Sequence, residues 1–177
     1  MANAAVGDYL HSHFVAAFQK VGTFRVAGAR KQGGNVAGYF CTPAGQVLHI
    51  LAGPVTGDTL LREARWVVET WKLAVLEGRQ EAAQLRAFFR AAHTERLRQE
   101  HGEHVRGQPL VTEEVPAALA ALLDQPRFQG LSRQGQVHLL LSAAPLPRVG
   151  EVYRVVFERL LGERISTSPV AVNTAAR

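Results

Sequence analysis

The chain has 177 residues, 47% of them hydrophobic, with one cysteine and a formal charge of +5. That is enough apolar material for one globular domain, or a small domain with a helical extension, and it excludes a wholly disordered chain. A single cysteine, Cys41, excludes an internal disulfide and any two-cysteine redox reaction within the chain, and no stretch has the uninterrupted apolar length of a membrane span. The N-terminus lacks the basic start of a secretory signal, so the expectation is a cytoplasmic protein. Basic residues are mostly arginine, which lifts the pI from a small excess, so the high pI does not by itself point to nucleic acid.

In chain order, Asp8 is expected to cap a short helix through Tyr9, Leu10 and His11, with Phe14 to Phe18 either continuing it or switching to a strand. Thr23 to Val26 is β-like. Lys31-Gln32-Gly33-Gly34-Asn35 reads as a turn into the clearest unit of the chain: a strand from Val36 to Cys41, the tight turn Thr42-Pro43-Ala44-Gly45, and a second strand from Gln46 to Leu51. Two apolar runs joined by a four-residue turn predict an antiparallel hairpin, and residues apolar on both faces predict that helices cover it. A helix is expected from about Asp58 to Trp71, with Leu60, Leu61, Ala64, Val67, Val68 and Trp71 at helical spacing, and a break at Gly78. A second helix is expected from Arg79 to about Gln99, then a connection from Gly102 to Pro109. A short helix follows Thr112, with Pro116 in its first turn and Leu119, Leu122 and Leu123 buried. Val137 to Leu141 reads equally as a buried strand or part of a helix. Val149 to Leu161 is amphipathic and ends at Gly162, and the tail from Ser166 to Arg177 is expected to fray.

From Asn35 to Trp71 the order strand, Pro-containing tight turn, strand, glycine and helix resembles the second half of a thioredoxin-like domain. The resemblance covers about a third of the chain. It implies an α/β fold, but this chain lacks the family's Cys-x-x-Cys, and Gly33-Gly34-Asn35 stands where the family keeps a cis-proline. No catalytic or substrate-binding residue of the family therefore carries over. A sheet missing its central strand needs a replacement, and Val137–Leu141 followed by the helix to Leu161 is one candidate; a partner chain is the other.

Candidate chemistry is sparse. Cys41 is a possible lone nucleophile with His49 across the hairpin, although its expected role is a buried small hydrophobe. His93, His101 and His104 form a candidate metal set, but Gly102 interrupts it and the HExxH spacing is absent, so a solvated helix end is expected. Arg79, Arg86 and Arg90 form a candidate anion-binding face, diluted by Glu81, Glu95, Glu100 and Glu103. His11, Ser12 and His13 lack a nucleophile-elbow context. Trp66, Trp71, Phe88 and Phe89 fall at helical spacing and are expected in the core or an interface.

The sequence thus predicts an α/β (α+β) architecture. Residues 1–78 hold the hairpin and its helix, and residues 79–177 are mainly helical and packed on them as one unit. The expected function is a non-catalytic thioredoxin-like module for protein binding or assembly, with no cofactor. A protein partner or a homo-oligomer is expected, with no membrane and no nucleic acid. A single-thiol redox protein using Cys41 and an anion binder using the arginine-bearing helix are the alternatives.

Overall fold

The turn at Thr42–Gly45 sets the register of the central hairpin. In a computed structural model describing residues 4–19, 25–27, 30–32, 35–78, 81–105, 119–163 and 165, Gly45 takes φ 77° and donates its N–H to the Thr42 carbonyl at 2.9 Å. That left-handed position suits glycine, and Pro43 presets the second position of the turn. The flanking strands, β3 (Ala37–Cys41) and β4 (Val47–Ala52), pair antiparallel with Tyr39 opposite Ile50 and Phe40 opposite His49; the register shifts between Phe40 and Cys41. A separate antiparallel pair precedes them, β1 (Arg25–Ala27) with β2 (Arg30–Gln32). Among the described residues each sheet has two strands.

Helices make up the rest. α1 spans Ala4–His13. α2 spans Gly57–Leu76, with Thr56 as N-cap, its hydroxyl accepting from the Thr59 N–H at 3.2 Å, and with Gly78 at φ 68° just beyond its end. α3 spans Ala82–Val105, α4 Leu119–Leu123 and α5 Arg133–Ala143. A 3₁₀ turn at Pro126–Phe128 precedes α5, and the Ser132 hydroxyl caps it by accepting from the Gly135 N–H. α6 (Val149–Val155) runs into a π-helical turn, Val156–Leu160, that stops at Gly162.

Every position of β4 is buried, because helices cover both faces of the hairpin, as its sequence, apolar on both faces apart from His49, predicts. Val47, Ile50 and Ala52 join a cluster with α4, α5 and α6, while Leu48 and Leu51 join a second with α2, Phe89 and Leu146. Both clusters draw on residues from either side of residue 78. The architecture is mixed α+β with a helix-rich C-terminal half. No helix among the described residues is long and apolar enough to cross a membrane.

The structure corrects several sequence expectations. Val137–Leu141 is helical, inside α5, so it does not replace a thioredoxin-like strand. A four- to five-residue apolar run carries no period, and here the cap at Ser132 and the eleven-residue length decide for helix. Asp8 lies within α1 rather than capping it, and Val15 and Phe18 beyond its end are exposed. Lys31 and Gln32 belong to β2 rather than a turn. α3 continues through Gly102 to Val105, since one interior glycine costs a helix only about 1 kcal/mol. The expectations for Gly33 and Gly34, for Thr112 and Pro116, and for the tail from Ser166 lie outside the described residues.

Candidate metal centre

The buried face of α3 carries Phe89, His93, Arg96 and Leu97 at helical spacing, and this face packs against α5. α5 is buried almost throughout, so His138 has no solvent side to occupy, and His49 is equally enclosed in β4. The three imidazoles are 0%, 1% and 0% exposed at positions 49, 93 and 138, and each offers a ring nitrogen within 4.8 Å of those of the other two. Ring centroids lie 5.2 Å apart for His49–His138 and for His93–His138, and 5.7 Å apart for His49–His93.

Hydrogen bonds and ion pairs surround the cluster. Nε2 of His93 lies 3.0 Å from the Leu48 carbonyl, which can only accept, so Nε2 carries the proton and Nδ1 keeps its lone pair. That Nδ1 lies 2.9 Å from Nδ1 of His138. Nε2 of His49 lies 3.2 Å from the Glu63 carboxylate. Arg96 grips the same carboxylate with both Nη atoms, at 2.7 and 2.8 Å, and Arg62 Nε reaches it at 3.1 Å. Burial alone would push the Glu63 carboxyl up, but the bonds from His49 and Arg96 outweigh it and hold the group near 2. With its proton on Nε2, His49 faces the ionised Glu63 carboxylate. The Gln134 amide nitrogen lies 3.1 Å from that same atom and also donates to the Ile50 carbonyl at 3.2 Å. Nδ1 of His49 is buried with no hydrogen-bond partner among the described residues.

Burial lowers the pKa of His49 and, helped by the Arg96 charge, holds His93 at about 3, so both rings are neutral at physiological pH. Neutral imidazoles with inward lone pairs are metal ligands. A ring N–H tied to a carboxylate or a backbone carbonyl is the usual support for such a ligand; Glu63 gives it to His49 and Leu48 to His93. Four-coordinate ions with bonds of about 2.1 Å set ligand nitrogens roughly 3.4 Å apart, so the cluster needs side-chain shifts of only about 1 Å to close. Without an ion the arrangement is expensive: an unpartnered buried nitrogen costs about 1–3 kcal/mol, and an apolar residue at position 49 would avoid that.

Comparison with protein-family models, curated proteins and solved structures found no match. The site is therefore argued from its own geometry.

His93 belongs to the cluster, but its neighbours there are His49 and His138. His101 and His104 lie further along α3, with side chains outside the described residues. Cys41 pairs with Val47, not with His49, and is half-buried; burial pushes its thiol up, away from reactivity. Native alkylation of Cys41 at pH 7.5 is accordingly expected to be at least about tenfold slower than after unfolding. Equal rates in the two states would show an activated thiol. Arg86 and Arg90 are half-buried on α3, and Arg79 lies outside the described residues. Ser12 donates to the Asp8 carbonyl within α1, and His13 packs on Tyr9. Of the aromatic set, Phe89 is fully buried, and Trp66 lies against all three imidazoles.

Sequence reasoning missed His138, Glu63, Arg96 and the role of Trp66. One signal was available: His49 in Val-Leu-His-Ile-Leu and His138 in Val-His-Leu-Leu-Leu are lone histidines inside apolar runs. A histidine in such a run is buried, and buried histidines need partners.

Proposed function

We propose that the protein is a metal-binding module in which His49, His93 and His138 hold one divalent transition-metal ion. The observation that carries the reading is the convergence of ring nitrogens from three separate elements within 4.8 Å. Its ligand chemistry is all imidazole, which suits zinc, copper, nickel and iron rather than calcium or magnesium. His49 and His93 ligate through Nδ1, with Glu63 and the Leu48 carbonyl orienting them. His138 ligates through Nδ1, which lies 2.9 Å from that of His93 and gives up its proton when the ion binds.

Full burial of the imidazoles favours holding an ion over turning a substrate over. The reading therefore keeps a non-catalytic module, built on a hairpin and helix that resemble half of a thioredoxin-like domain, and working in the cytoplasm. A protein-binding role is favoured by a separate observation: Leu73, Val75 and Leu76, 53%, 50% and 82% exposed, form an apolar end on α2 beside Trp71.

The metal reading is tested by titrating chelator-treated protein with Co²⁺ and Zn²⁺. One equivalent is expected, with the visible absorption of a nitrogen-ligated four-coordinate cobalt ion. His93→Ala and His138→Ala are expected to weaken binding at least about a hundredfold, and Glu63→Gln about ten- to a hundredfold. Zinc uptake by the wild type no greater than by a variant lacking all three imidazoles would remove the proposal.

A further inference from the structure

Resting on that metal reading, we infer that the ion enters and leaves through the cleft between α2 and α3, with the Trp66 indole as its gate. The imidazoles are enclosed, so an ion must cross a wall to reach them. On two sides the walls are thick: β4 is buried at every position, and so is α5 from Val137 to Ala143. The third side faces a cleft of about 500 Å³, lined among others by Asp58, Arg65, Trp66, Glu69, Arg96 and Gln99.

Trp66 and Arg96 line that cleft and also reach the cluster, Trp66 by its ring and Arg96 through Glu63. Trp66 is half-buried, lines the cleft, and has its ring 5.1 Å from those of His49 and His93 and 5.9 Å from that of His138. Arg96 lies over the same indole at 4.7 Å. It is also the latch. Its two Nη atoms hold Glu63, while its Nε holds Glu100 at 2.6 Å on the outer side.

Those contacts define a route. Asp58 and Glu69 offer carboxylates at the cleft wall beside Arg62, Arg65 and Arg96, so they serve as landing points for a hydrated cation and the cleft as a whole does not steer it. Rotation of the indole opens the wall. Arg96, retaining Glu100, releases Glu63, and the freed carboxylate takes the ion as it sheds water and passes it to the imidazoles. Arg96 then returns to Glu63. The step is ligand exchange, with no change in the ion's oxidation state.

Exchange kinetics test the gate. Uptake is followed by stopped-flow cobalt absorption, and release by transfer of bound zinc to a chromophoric chelator. Trp66→Ala is expected to speed both at least about tenfold, and Gln99→Trp, which fills the cleft from an exposed position of α3, to slow both by a similar factor. Should Trp66→Ala fail to fold, Gln99→Trp decides alone. One bound ion with wild-type rates in Gln99→Trp overturns the gate and leaves the metal site standing. A wild-type protein that binds no ion at equilibrium overturns the metal reading itself, and the gate with it.

Discussion

Replacing Glu63 with Leu costs the fold about 3–5 kcal/mol, the usual penalty for leaving a buried charge without its partner. Glu63 is 1% exposed and receives His49, Arg62 and both Nη atoms of Arg96. Arg96 is itself 8% exposed, and without Glu63 its remaining acceptor is the half-exposed Glu100. Against a total stability of about 5–15 kcal/mol, the loss is large enough to unfold a marginal domain. Arg96→Leu strands Glu63 in the same way. The double variant removes both charges and leaves apolar groups in a mostly apolar surround, so it loses less than the sum of the singles by at least about 2 kcal/mol. Urea denaturation of the three variants in the presence of a chelator measures this. Additivity to within about 0.5 kcal/mol would show that the pair is not coupled.

Acid removes stability in two successive windows. His93 sits at about 3 in the fold against an ordinary 6.5, because burial and the Arg96 charge disfavour its charged form; His49 is lowered too, chiefly by burial. The unfolded chain therefore binds more protons than the fold below pH 6.5. The stabilisation is fully present above 6.5 and is lost as the pH falls from there toward 3. For His93 alone the slope approaches about 1.4 kcal/mol per pH unit below 6.5, so about 2 kcal/mol is gone between pH 6.5 and 4.5. Glu63, held at about 2 against 4.5, opens the second window: its contribution is present above 4.5 and disappears as the pH falls toward 2. Denaturant midpoints at pH 7.5, 6.0 and 5.0, again with chelator so that no ion is displaced, should fall at each step. A flat profile from 7.5 to 5.0 would mean that the buried imidazoles relax to solvent before they charge.

The sequence by itself determined the local units of this protein. The Pro-containing turn ending in Gly45 forced the hairpin, because few four-residue stretches fit that reversal. The polar cap at Thr56 and the apolar spacing after it placed α2. Burial of β4 on both faces was legible in a run that is apolar on either face apart from His49. Val137–Leu141 was not legible, since an apolar run with one histidine suits a buried strand and a buried helix alike; the Ser132 cap, the eleven-residue length and packing against α3 and β4 settle it as helix. The metal centre was less legible still. His49, His93 and His138 stand more than forty residues apart in sequence, His93 about as far from each of the other two. Motif reading sees ligands carried close together on one helix, and so it grouped His93 with His101 and His104 and set that group aside as a solvated helix end. A site assembled from a strand and two helices has no spacing to read. The tertiary structure makes it, by enclosing three separate apolar surfaces that each contain one histidine.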